Sequence, residues 1–285
     1  MYNKRIILIF KRFLKINIHI NTIINDQKQY LKYCVIPGDV IGDSIIIDGL
    51  YEEDILTQLF SDVFLKNLTQ FKESNAIDVG ANIGNHSLFF SKYFKKVIAF
   101  EPNPIACNIL KANILFNNID NILLFETGLG DEEKVMSFII NRSNVGNSFF
   151  INDPKSMYMN DNHYQITKSN IKIGDNLLID HNTDNVGLIK VDCEGFEYQA
   201  LKGLKKIIVK NKPIIIFETG MNGVKESNDI INLLIDMGYN NFYSFDWKYK
   251  NKIFILLSKY KRVLKKIDRL QDRIYNVVIA SSVEF

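Results

Sequence analysis

The sequence predicts an α/β fold, a sheet of parallel strands flanked by helices, and three observations carry that expectation. From Ile77 onward, apolar runs of four to six residues alternate with helix-length amphipathic stretches, as expected of strands covered on both faces. A short run that includes Asp78 leads from Asn75 straight into the turn Gly80-Ala81-Asn82-Ile83-Gly84. Such a turn opens a helix and aims backbone N–H groups at a ligand beside the carboxyl edge of the sheet. About twenty residues on, a second run ends in Phe100-Glu101-Pro102, an acid where this class of fold holds a ribose.

Length and composition bound the alternatives. The 285 residues suit one large domain with an appendage. With 47% hydrophobic and 24% charged residues, 5 Pro and 15 Gly, disordered, collagen-like and low-complexity classes are excluded. A net charge of +3 is too near neutral to make nucleic acid the expected partner. Ile (43) and Asn (32) are over-used, a compositional bias without functional content. Cys34, Cys107 and Cys193 have no CxxC spacing and fit a reducing compartment better than a disulfide framework or a zinc site. The apolar patch Ile6 to Phe10 is cut by Lys11, Arg12 and Lys15, far short of the ~18 apolar residues of a spanning helix. A cytoplasmic location is expected.

In chain order, residues 1–72 read as a preface that packs on the sheet, with a polar-apolar stretch at Ser44 to Ile47 and a helix over Glu53 to Leu68. Strands are expected at Ala76 to Val79, Lys96 to Phe100, Asn121 to Glu126, Gly187 to Val191 and Pro213 to Glu218. Helices are expected at Asn85 to Tyr93, Pro104 to Asn117, Glu197 to Val209 and Glu226 to Met237. Asn103 suits an N-cap and Pro104 a first turn. An insertion at 132–183, with strand-like pieces at Val135 to Ile140, Ser148 to Ile151 and Ile171 to Ile173, is long enough to cover a site. Residues 248–274 hold ten Lys or Arg against Asp268 and Asp272. There Leu256, Leu257, Tyr260, Val263, Leu264, Ile267, Leu270 and Ile274 recur at spacings of three and four. This predicts a basic amphipathic helix, either solvated or lying on an anionic membrane surface.

The chemistry gathers at strand ends. Gly80, Asn82 and Asn85 stand where a dinucleotide site wants three glycines, so a nucleoside without a pyrophosphate is favoured over NAD. Glu101 is placed to accept from both ribose hydroxyls, with a helix-capping surface acid as the alternative. Lys190, Asp192 and Glu194 alternate, so a strand through them turns all three to one face. Charges there are costly to bury unpaired, so Lys190 is expected to pair with Asp192 or Glu218. Asp192, Glu194 and Glu218 could gather a hard cation, but the spacing demands no metal. His86 and His163 are bases by type, although a lone His is more often packed or exposed. Glu197 falls in a first helical turn, where the dipole favours an acid, and Cys193 reads as a small core residue.

Five segments, Asp78 to Asn85, Phe100-Glu101-Pro102, Leu129-Gly130-Asp131, Ile189-Lys190-Val191-Asp192-Cys193-Glu194-Gly195-Phe196-Glu197 and Leu201-Lys202-Gly203, together resemble the FkbM family of S-adenosylmethionine-dependent methyltransferases. The resemblance runs in order from about Gly49 to Glu218, and Asn276-Val277-Val278 resembles the family's final strand. The glycine turn alone resembles any class I methyltransferase; the Lys-x-Asp-x-Glu-Gly-x-Glu segment narrows it. The resemblance implies a Rossmann-like sheet of about seven mostly parallel strands with an antiparallel last strand and helices on both faces, over residues 73–285. It implies S-adenosylmethionine as cofactor, held by Asp78, Gly80, Asn82, Gly84, Asn85 and Glu101, with the loop around Asp131 against adenine. Asp192 and Glu194 are the candidates to orient the acceptor hydroxyl or act as base, with Lys190 and Glu218 completing the charged set, and Asn144-Val145-Gly146-Asn147-Ser148 resembles a family stretch on the acceptor side. The implied activity is methylation of a hydroxyl on a small-molecule or glycan acceptor, foremost a sugar of a surface polysaccharide or its lipid-linked precursor. A lipid or secondary-metabolite acceptor, or a non-catalytic partner of a glycosyltransferase, are the alternatives.

Overall fold

The computed structural model describes residues 31–153, 163–181, 183–219, 223–248, 261–268 and 275–285. In the preface, α1 (Val40–Asp48) starts at Asp39, whose carboxylate accepts from the Ile41 and Gly42 amides, and stops at Gly49 with φ +90. The single helix expected over Glu53 to Leu68 is broken. α2 (Glu53–Gln58) passes into a π turn at Leu59–Val63 and a 3-10 turn at Leu65–Asn67 before α3 (Leu68–Lys72). Tertiary packing outweighs helical regularity there: Phe60 and Phe64 turn inward and join Phe71, Phe90 and Phe94 in one aromatic cluster.

The core then alternates as expected. β1 (Asn75–Val79), α4 (Asn85–Phe90), β2 (Lys96–Phe100), α5 (Pro104–Phe116) and β3 (Ile122–Phe125) follow one another, and Asn103 caps α5 by accepting from the Ile105 amide. The insertion folds into a sheet of its own with strand order β4-β7-β5-β6, from β4 (Gly128–Leu129), β5 (Lys134–Asn141), β6 (Phe149–Ile151) and β7 (Tyr164–Lys172). After α6 (Gly174–Leu177) and β8 (Val186–Val191), the helix expected over Glu197 to Val209 divides at Leu204 into α7 (Glu197–Gly203) and α8 (Lys205–Asn211). β9 (Ile214–Thr219), α9 (Gly223–Asp236), β10 (Asn241–Lys248), β11 (Lys261–Lys266) and β12 (Tyr275–Ser281) complete the chain.

Among the described residues the main sheet has eight strands in the order β11-β10-β12-β9-β8-β1-β2-β3. β12 is antiparallel to both neighbours, as the resemblance implies for the final strand, and β11 is an added antiparallel edge strand on β10. That edge corrects the basic amphipathic helix expected at 248–274. Over Lys261–Lys266 the chain is a strand, because the open ladder of β10 takes up its backbone while Leu264 joins the core. The three-and-four spacing is thus overridden where it can be seen; residues 249–260 and 269–274 lie outside the described residues. Among the described residues no helix is long and apolar enough to cross a membrane.

Alternation sets the two cores. Ile77 and Val79 of β1 face one side with Ile189, Val191, Ile215 and Phe217, and Ala76 faces the other with Val97, Leu188 and Ile216. The preface helices cover the second face and α7, α8 and α9 the first. Parallel β1, β2, β8 and β9 end along one edge, which brings Gly80, Glu101, Asp192 and Glu218 together.

Candidate functional site

A cleft opens along that edge, floored by the glycine turn and roofed by α1 and the 3-10 turn Val145–Asn147 of the insertion. The turn runs through three left-handed residues, Gly80 (φ +77), Asn82 (φ +50) and Gly84 (φ +92). Gly80 is required twice over: a Cβ there would fall 1.7 Å from the Asp192 carbonyl oxygen. The amides of the turn do not point at a ligand as expected. Gly80 and Ala81 donate to the Phe100 carbonyl, Asn82 to Glu101 Oε2 and Gly84 to the Ala81 carbonyl. With those donors committed to the protein, the turn is no cradle for phosphate.

Glu101 lies at the end of β2 and is 7% exposed. Its Oε2 accepts from the Asn82 amide and its Oε1 from the Asn103 amide, both at 2.8 Å. Burial pushes its pKa up to about 7, against the pull of those two amides. Beyond it the wall is apolar, with Leu129, Phe138 and Phe150 in the cleft and Phe100 stacked on Phe125 at 5.2 Å. Asp131 is not among the lining residues: Lys202 holds it at 2.8 Å and keeps its carboxyl below the usual range.

The other end of the cleft is ionic. Lys190, buried, reaches Asp192 Oδ2 at 3.1 Å, the Gly80 carbonyl at 3.1 Å and Asp78 Oδ1 at 3.5 Å. Burial works against its charge, but the two carboxylates prevail and raise its pKa. Asp78 sits beneath the turn, fully buried, bonded to Ser87 Oγ, and supports the loop without lining the cleft. Burial also opposes the charge of Asp192, yet Lys190 and His86 hold it below the ordinary value. Glu218 donates a hydrogen bond to Asp192; burial and that carboxylate push it up to about 9. Glu194, at φ +54, is pushed up to about 7 by burial and by Asp192. Its backbone is fixed from outside the cleft: Glu197 Oε1 accepts from the Cys193 and Gly195 amides at 2.9 and 3.2 Å. Cys193 packs against the core, as expected, and also borders the cleft, and burial raises its thiol well above the usual range.

Sequence reasoning missed the preface's share of this end. Tyr51 and Glu52 stand beside His86, whose Nε2 lies 3.3 Å from Glu52 Oε2. Asn85 brings them there: its amide donates to the Tyr51 carbonyl and accepts from the Tyr51 amide, each at 3.0 Å. Although Asn85 borders the cleft, its polar atoms serve this clamp. The pairing joins residues 34 apart, so no local pattern announces it. His163 stays on the exposed insertion, hydrogen-bonded to Ser143. Asp39 ties the roof together, accepting from the Val145 amide at 2.7 Å while capping α1. Asn144 Oδ1, buried in that roof, has no hydrogen-bond partner among the described residues. No group of three or more His, Cys, Asp or Glu among the described residues is placed to hold a metal ion.

The chain is 27% identical over 146 residues to Methyltransferase 1 of Beauveria bassiana (strain ARSEF 2860), covering 46% of this chain and 59% of that protein. It is 23% identical over 243 residues to Methyltransferase sdnD of Sordaria araneosa, covering 75% and 87%. A crystal structure of methyltransferase FkbM from Methylobacillus flagellatus KT is 17% identical with a TM-score of 0.43, over 73% of this chain and 44% of that one. The match thus spans about three fifths of the Beauveria protein and under half of the Methylobacillus one. The profile of the methyltransferase FkbM domain matches residues 78–240, more than half of the chain, which therefore belongs to the FkbM methyltransferase family.

Proposed function

We propose that this chain is an S-adenosylmethionine-dependent O-methyltransferase acting on a sugar hydroxyl of a surface polysaccharide or of its lipid-linked precursor. The observation that carries the reading is the cluster of carboxyl groups lining one cleft where β8 and β9 end: Asp192 paired with Lys190 at 3.1 Å, and Glu194 and Glu218 beside it, pushed by burial up to about 7 and about 9. A neutral hydroxyl uses the first two, as hydrogen-bond acceptor and base of matched pKa, while Glu218 donates to Asp192 and keeps that carboxylate in place. Membership of a methyltransferase family supports the transferred group.

The residues present fit the cofactor. Each Glu101 oxygen accepts one amide and retains a lone pair for a ribose hydroxyl. Gly80 lines the cleft beside it, whereas Gly84 packs against Leu88 and Leu110 and shapes the turn from the core side, and the orphaned Asn144 Oδ1 calls for a donor from a ligand. When bound, the cofactor supplies a methyl group on a positively charged sulfur, a charge that suits an acidic cleft better than a phosphate would. Lys190 ties the ends of β1 and β8 together, so the two halves of the cleft keep one register and the reactants can be aligned. Asp192, held by Lys190 and Glu218, would orient the hydroxyl, and Glu194 would take its proton as the methyl carbon–oxygen bond forms and the carbon–sulfur bond breaks, leaving a neutral thioether.

Incubation with methyl-labelled S-adenosylmethionine and lipid-linked oligosaccharide, followed by acid hydrolysis, should release a labelled O-methyl sugar. Label recovered only as methyl ester or N-methyl product, or in no product, overturns the reading.

A further inference from the structure

A second cavity, of about 40 Å³, shares Tyr51, His86, Lys190, Asp192 and Glu218 with the main cleft. Its remaining walls are almost wholly apolar, from Ile55, Leu56 and Leu59 of the preface, Phe90 of α4, Ile216 of β9 and Val277 of β12. The main cleft's carboxyl groups therefore form its mouth, and hydrocarbon forms its floor. We propose that this cavity is an acceptor subsite that takes a methyl-sized apolar substituent on the carbon next to the reacting hydroxyl. The acceptor is then a neutral secondary alcohol flanked by a small alkyl group; among sugars, a deoxysugar. This inference rests on the methyl-transfer reading above.

Three features select that occupant. The first is size: a water-sized group needs roughly 10–15 Å³ of such space, so the cavity admits about three to four, a methyl or ethyl group and no ring. The second is polarity. Ile55, Leu56, Leu59 and Val277 offer a hydroxymethyl group no partner, and burying a hydroxyl unpaired is unfavourable. The polar groups at the mouth are already engaged with one another, Glu52 with His86 and Lys190 and Glu218 with Asp192. The third is charge, since Glu52 and Asp192 repel a carboxylate or phosphate placed between them. The mouth is also held in place, because Asn85 grips Tyr51 by both its amide and its carbonyl.

The test uses the full chain and three probes: a methyl 6-deoxyhexoside, the matching hexoside and the matching hexuronide. The deoxyhexoside should have the highest kcat/KM, by about tenfold or more over the hexoside, and the hexuronide the lowest. Leu56→Phe fills the cavity and should bring deoxyhexoside and hexoside together. Val277→Leu intrudes from the opposite wall and should do the same in part. Binding of S-adenosylhomocysteine by each variant reports that it is folded. Equal or better use of the hexoside, a wild-type preference kept by both variants, or no turnover of any probe by a chain that binds S-adenosylhomocysteine overturns the subsite alone. Failure of the wild type to bind S-adenosylhomocysteine overturns the methyl-transfer reading and the subsite with it.

Discussion

If Glu194 takes the proton, its titration should appear in the rate. The perturbation is Glu194→Gln, which keeps the side chain's size and removes the base. The loop should survive it, because Glu197 pins the Cys193 and Gly195 amides without help from the Glu194 side chain. Burial and the Asp192 carboxylate set Glu194 at about 7, so about one molecule in ten carries the free base at about pH 6 and nine in ten at about pH 8. Wild-type kcat should therefore rise roughly tenfold over that interval, with unit slope only well below pH 7 and a plateau above it, whereas an ordinary Glu would give a flat profile. Glu194→Gln should lower kcat by about 10²- to 10⁴-fold and flatten what remains. Glu218 is the control: pushed up to about 9, it is neutral at working pH, so Glu218→Gln, which mimics the neutral acid, should change the rate far less. The assay is the initial rate with methyl-labelled S-adenosylmethionine at saturating acceptor. A Glu194→Gln chain that keeps the wild-type slope and rate would refute the assignment of the base.

Two further outcomes follow from the same geometry. Glu101 has a folded pKa of about 7 against an ordinary 4.5, so the stability it contributes is full below the ordinary value and is lost as pH rises through the folded one, by ~3 kcal/mol. Glu101→Gln forfeits one amide bond, about 1 kcal/mol, so it should be less stable than wild type at acid pH and gain on it as pH rises from about 4.5 to about 7; a pH-independent difference in Tm would contradict this. Gly80→Ala must move the Asp192 carbonyl, 1.7 Å from the new Cβ, and hold Ala at φ +77. It should lose at least ~3 kcal/mol in denaturant unfolding, and a loss below ~1 kcal/mol would show the approach to be looser than described.

What could be read in advance was whatever neighbours in sequence determine. The strand, glycine turn and helix from Asn75 to Phe90 lie within one βα unit, and the pattern of acids at Glu101, Asp192 and Glu218 follows from their places at strand ends. What could not be read depends on distant contacts. Tyr51 and Glu52 enter the site only because Asn85 seizes the preface backbone. The family resemblance implies Asp131 as a cofactor contact, yet Lys202 on α7 draws it away. The turn's N–H groups look available until β2 is seen to supply their acceptors, the Phe100 carbonyl and Glu101. At Lys261–Lys266 the helical spacing lost to the open edge of β10, a competition that no single segment reveals.

The central claim is that one cleft has two separable poles, a cofactor pole built on Glu101 and a reactive pole built on Asp192 and Glu194. Calorimetric titration with S-adenosylhomocysteine tests it most directly. Wild type and Glu194→Gln should bind alike, and Glu101→Ala, losing the acceptor for both ribose hydroxyls, should bind at least about tenfold more weakly. Equal affinity in Glu101→Ala, or an equal loss in Glu194→Gln, would contradict the division of the cleft.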